Sequence, residues 1–90
     1  MPKLSFTPAL KRFFPDIKEA QHAGNTVREL LDNLEQEYPG LNSYLRDETG
    51  ALRQHINIFI DQSLIQDRIH LQDQLKEAEE VLIFQALSGG

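Results

Sequence analysis

One segment of this chain constrains the fold more than any other. Thr26-Val27-Arg28-Glu29 has the form of a capping box, in which a hydroxyl and a carboxylate satisfy backbone N–H groups at a helix start. Val27, Leu30, Leu31, Leu34 and Tyr38 follow at spacings of three and four, so they share one helical face. Arg28, Asp32, Asn33 and Glu35 lie opposite, and Tyr38-Pro39-Gly40 ends the helix. Leu41 to Leu45 adds a further turn. An amphipathic helix must bury its apolar stripe against something, and a sheet that it crosses is the economical partner.

The remaining apolar residues supply one. Lys3-Leu4-Ser5-Phe6-Thr7 alternates with the period of a half-buried strand until Pro8, which has no N–H to donate to a ladder. A short strand is expected over Asp16 to Gln21 around Ile17. In His55-Ile56-Asn57-Ile58-Phe59-Ile60-Asp61, Ile56, Ile58 and Ile60 point one way and Phe59 the other. The stretch from Gln62 to Glu80 is polar, with apolar pins expected at Leu64, Ile65, Ile69, Leu71 and Leu75. Val81-Leu82-Ile83-Phe84 reads as a last strand covered at least partly on both faces. The expected class is α+β, a mixed sheet crossed by one main helix.

Composition excludes several kinds of function. Ninety residues hold a single core, and nine Lys+Arg against fourteen Asp+Glu give a net charge of −5. That balance argues against nonspecific nucleic-acid binding, which requires clustered cations. The absence of cysteine excludes disulfides, a thiol nucleophile and cysteine-based zinc sites. His22, His55 and His70 are too scattered for a metal-ligand spacing, and no glycine-rich phosphate loop is present. No apolar run approaches the length of a membrane span or a signal-peptide core. A small acidic cytoplasmic domain, and not an enzyme, is the expectation.

The last strand is followed by Gln85-Ala86-Leu87-Ser88 and then Gly89-Gly90. A tip without side chains can thread a narrow channel and adopt backbone angles closed to other residues. A carboxylate at such a tip can attack the α-phosphate of ATP, and the acyl-adenylate can then react with a nucleophile. The expected organisation is a folded domain over 1–86 and a flexible diglycine tail over 87–90. A frayed tail without chemistry is the alternative.

Taken in order, these segments resemble the ThiS/MoaD group of ubiquitin-like β-grasp sulfur carriers, which includes the molybdopterin-synthase small subunit. The resemblance is carried by Thr26 to Leu31 with Leu34 and Tyr38 to Leu41, by Leu52 to Ile60, and by Val81 to Phe84 with Ala86 to Gly90. It implies a β-grasp fold and a protein that is a substrate. An E1-like enzyme would adenylate Gly90 with ATP, sulfur would replace AMP to give a thiocarboxylate, and an acceptor enzyme would receive the sulfur. Gly89 would keep the tip slim, and the chain would bind no cofactor itself.

Three departures from the family pattern stand out. Asp61-Gln62-Ser63 replaces a common Asn-Gly hairpin, and Glu77-Ala78-Glu79 replaces Asp-Gly-Asp, so both loops are expected to differ in shape. Gln85 stands where proline is common, which removes a source of rigidity where the tail leaves the sheet.

Strand phase and the family resemblance together point to a partner surface. Val81 and Ile83 share one phase and Leu82, Phe84 and Ala86 the other, and the resemblance implies that Val81 and Ile83 face inward. Phe84 then stands outward beside Phe59, and together with Leu87 these form the expected platform for partner enzymes. The alternative is that Arg68 to Leu75 folds over that face and buries it. Lys11 and Arg12, after the first strand, are available to acidic partner residues or simply solvated. Two other functions use the same features: a ubiquitin-like modifier joined to lysines of other proteins, and an interaction domain with an inert tail.

Overall fold

A computed structural model describes residues 1–76 and 78–86. The elements in order are β1 (Lys3–Phe6), α1 (Pro8–Lys11), α2 (Val27–Glu37), α3 (Leu41–Leu45), β2 (Ile56–Ile60), β3 (Ser63–Leu64) and β4 (Glu80–Gln85). They build one mixed sheet in the order β1-β4-β2-β3, with β1 parallel to β4 and the other pairs antiparallel. The last strand therefore occupies the middle of the sheet, between the first strand and the central hairpin. This is the ubiquitin-like β-grasp architecture, with α2 as its main helix.

Helix α2 begins as its sequence dictates. Thr26 Oγ1 accepts from Glu29 N at 3.2 Å, whereas the reciprocal Glu29 carboxylate accepts from Asn25 N, one residue before the cap, at 3.4 Å. The returning loop satisfies the next donors: Val27 N–H bonds to Asp73 O and Arg28 N–H to Leu71 O. Val27, Leu30, Leu31 and Leu34 are fully buried against Leu4, Ile56, Ile58, Val81 and Ile83 from the sheet's inner face. At the other end Gly40 adopts φ 96°, a conformation that favours glycine. The Glu35 carboxylate reaches past it to accept from Gly40 N at 2.7 Å and Asn42 N at 2.8 Å, capping α3. These charge-assisted bonds, Gly40's first, lower the Glu35 pKa.

The expected strand over Asp16 to Gln21 does not form. Among the described residues its only ladder contact is an isolated bridge between Lys3 and Gln21, although Ile17 is buried. One apolar anchor among charged neighbours fixes a position in the core without providing a face for a strand. Leu64 and Ile69, expected as pins, are exposed, while Ile65, Leu71 and Leu75 are buried.

The β2–β3 hairpin keeps the shape that the loss of Asn-Gly was expected to change. Ile60 pairs with Ser63 across two residues, Asp61 at φ 48° and Gln62 at φ 77°. Positive φ at both positions is the primed two-residue turn that Asn-Gly favours. Here Asp61 holds it from outside, its Oδ1 accepting from Glu79 N at 3.0 Å and Glu80 N at 2.9 Å. Glu77, in the other departing loop, lies outside the described residues.

Candidate functional site

The two faces of the sheet differ because strand side chains alternate. The inner face of β2 and β4 is buried, and the outer face carries Asn57, Phe59, Leu82 and Phe84. Register brings these together. Phe59 pairs with Leu82 on one side and Leu64 on the other, and Asn57 pairs with Phe84. Directly paired residues project to the same face, so Leu82, Phe59 and Leu64 form an apolar row with Phe84 beside it.

Phe59 and Phe84 meet edge to face, with ring centroids 6.1 Å apart at 79°. Together with Leu82, Gln62 and Glu80 they line a shallow depression of about 340 Å³. Phe84 is 37% exposed and Leu64 55%. The segment from Arg68 to Leu75 does not bury this patch. It runs along the start of α2, where Leu71 and Leu75 enter the core and Leu75 N–H bonds to Asn25 O. Only Arg68 is tied to the outer face, through a 2.5 Å bond from its guanidinium to Asn57 Oδ1.

Phe59 and Phe84 thus lie side by side, as strand phase combined with the family resemblance indicated. Leu82 shared the phase of Phe84 and was readable on that ground. Leu64 was misassigned because its facing depends on a pairing with Phe59 that period alone does not reveal. Leu87, Gly89 and Gly90 lie outside the described residues.

The sheet ends at a second feature. Gln85, the last residue of β4, pairs with Ile56, and Ala86 N–H bonds to His55 O at 2.8 Å. Gln85 N–H donates to Thr7 Oγ1 at 3.1 Å, and Gln85 Oε1 accepts from the Tyr44 hydroxyl at 2.6 Å. The Gln85 N–H that makes the first of these bonds is the donor proline lacks. Hydrogen bonds from three segments therefore hold the point where the chain leaves the sheet. Next to it, Thr7, Pro8, Arg12, Phe84 and Ala86 line a groove of about 500 Å³.

Among the described residues no three His, Asp or Glu side chains converge as a metal site. No helix among them is long and apolar enough to cross a membrane.

A family model described as the ThiS family matches residues 10–90. Among solved structures, the fold is similar to a chain of the Amycolatopsis orientalis BexX/CysO complex, with TM-score 0.83, 23% identity and full coverage of both chains. Mycobacterium tuberculosis CysO gives a TM-score of 0.80 at 21% identity, over 97% of this chain and 100% of that one. Small archaeal modifier protein 1 (SAMP1) from Methanosarcina acetivorans gives 0.75 at 26% identity, over 98% and 94% of the respective chains. No curated protein sequence matches significantly.

Proposed function

The chain belongs to the ThiS family, and from that premise we propose that it carries sulfur as a thiocarboxylate on Gly90. The observation that supports this most is the extent of the family match, which runs from residue 10 through Gly89-Gly90. The chemistry needs little from the carrier. A Gly90 carboxylate oxygen attacks the α-phosphate of ATP bound by an E1-like enzyme, and pyrophosphate leaves with the P–O bonding pair. A hydrosulfide equivalent then attacks the acyl carbon, and AMP departs with its electron pair, leaving –C(O)S⁻. The acceptor enzyme finally receives that sulfur. The absence of cysteine fits this route, because a persulfide on the carrier itself would need a thiol.

The same reading assigns the two regions. Residues 1–86 are the domain that partners grip, and 87–90 are the tail that enters the activating enzyme. Phe59 and Phe84 on the outer face, with Leu87, supply the docking platform. Central aromatic side chains in an apolar patch are the usual anchors of such interfaces.

The test is reconstitution with the cognate activating enzyme. ATP should yield pyrophosphate and an acyl-adenylate on the full chain, and deletion of Gly89 and Gly90 should abolish both. Pyrophosphate release that ignores the deletion would overturn the assignment of the tail.

A second reading is favoured by the 26% identity to M. acetivorans SAMP1, a protein named as a modifier. In it the activated Gly90 carbonyl is attacked by a lysine amine of another protein, and an isopeptide bond forms. Incubation with native-host extract and ATP separates the two: a ladder of lysine conjugates supports the modifier.

A further inference from the structure

We propose that Tyr44 and Thr7 are positioning residues that set the direction in which the tail leaves the sheet, acting through Gln85. This deepens the carrier reading and rests on it.

Several independent features converge on Gln85. Thr7 stands at the N-cap of α1, where a threonine hydroxyl ordinarily accepts from the helix's own first turn. It makes no such bond and instead accepts from Gln85 N, 78 residues away in sequence. The α1 cap is left without its side-chain partner while the end of β4 gains one.

Tyr44, on α3, is fixed before it meets Gln85. Its ring packs at 4.9 Å from Phe13, at 5.9 Å from Phe14 edge-on, and at 6.3 Å from His55 edge-on. That cage leaves the hydroxyl aimed at Gln85 Oε1, at the short distance of 2.6 Å. Phe13 is 60% exposed, so much of its surface is not used to fill the core, yet its ring packs against Tyr44.

The next donor, Ala86 N–H, is taken by His55 O, and His55 itself borders the Tyr44 ring. Backbone and side chain of the last strand residue are therefore anchored by two separate segments, the backbone by Thr7 between β1 and α1 and the side chain by Tyr44 on α3. A hinge held by several bonds restricts the cone available to the residues after it. A docked carrier then presents its carboxylate in fewer orientations, and a larger share of them reach the α-phosphate. Orientation of this kind acts on turnover within the docked complex and not on docking.

The experiment is ATP–pyrophosphate exchange with the cognate activating enzyme at varied carrier concentration, which reads kcat and KM separately. Tyr44→Phe and Gln85→Met each remove the hydroxyl–amide bond with little change of shape. Both should lower kcat about 5- to 10-fold with KM within about twofold. The conservative variant Gln85→Glu keeps an acceptor for Tyr44 and should recover most of what Gln85→Met loses. Wild-type kcat in both variants, a loss confined to KM, or Gln85→Glu as slow as Gln85→Met would overturn the proposal.

Failure of the adenylated-tail premise, which the carrier and modifier readings share, looks different, because wild type itself would then show no exchange. In that event amide hydrogen exchange at Ala86 in the free protein decides whether the clamp exists. Tyr44→Phe should speed it about tenfold, and an unchanged rate would overturn the clamp. Should Tyr44→Phe not fold, the half-buried Gln85 pair carries both measurements.

Discussion

Replacing Phe59 with Asp tests the docking platform, and the structure sets the size of each effect. The folded state loses the edge-to-face pair with Phe84, worth about 0.5–1.5 kcal/mol beyond burial. It also gives up strand preference on a scale spanning about 1 kcal/mol. The new carboxylate joins Glu80 on the same depression of a chain already at −5. The lost burial of a half-buried ring adds about 1–1.5 kcal/mol, for a total cost of about 2–4 kcal/mol. A domain of this length has about 5–13 kcal/mol of stability, so the variant should fold. At an interface the loss is larger. Removing a central aromatic anchor costs about 2 kcal/mol or more, and each 1.4 kcal/mol is a factor of ten. The activating enzyme should therefore bind Phe59→Asp at least about 30-fold more weakly. Titration calorimetry reads the affinity and pyrophosphate exchange reads KM, with a thermal melt confirming the fold. A folded variant activated with unchanged KM would refute the assignment of this face.

Other expectations address stability. A Cβ at Gly24 would stand 2.7 Å from Leu30 N and 2.8 Å from Leu30 Cα, atoms of the helix backbone that cannot give way cheaply. Gly24→Ala should destabilise by about 1–3 kcal/mol, read as a fall in urea midpoint. Gln62→Gly should stabilise by about 0.5–1 kcal/mol, because Gln62 holds φ 77° where glycine carries no Cβ penalty; a fall in Tm would contradict this. Glu35 titrates below its ordinary value near 4.5, so the unfolded chain binds the proton first as pH falls. Its contribution is present in full above that value and is lost as pH drops through the lower folded one. The stability gap between wild type and Glu35→Gln should be wide at neutral pH and close below pH 4.5 in urea titrations. A gap independent of pH would show that the carboxylate bonds to Gly40 and Asn42 are not what caps α3.

What the sequence made legible was what repeats locally. Helix α2 declares itself through a 3.6-residue stripe and a cap, and β2 through the Ile56, Ile58 and Ile60 phase that turns Phe59 outward, whereas β4 is apolar throughout and the outward facing of Phe84 comes from the family resemblance. What escaped depends on partners far along the chain. Helix α1 has four residues and no pattern to recognise. Asp67 shapes its loop by accepting from Ile69, His70 and Gln72 N–H groups, a role no isolated aspartate announces. Leu64 faces outward because it pairs with Phe59, and the bonds that Gln85 donates to Thr7 and accepts from Tyr44 exist only after the sheet has assembled. In the tail, the diglycine is readable in the sequence, while the anchoring of its base is visible only in three dimensions.

Intact mass spectrometry of the protein purified from its native host tests most directly whether sulfur rides on the carboxylate of Gly90. Exchange of one carboxylate oxygen for sulfur predicts a species about 16 Da heavier than the unmodified chain, with the added mass confined to the C-terminal peptide. Protein from sulfur-replete cells that never shows this species, or carries the added mass elsewhere, contradicts the account.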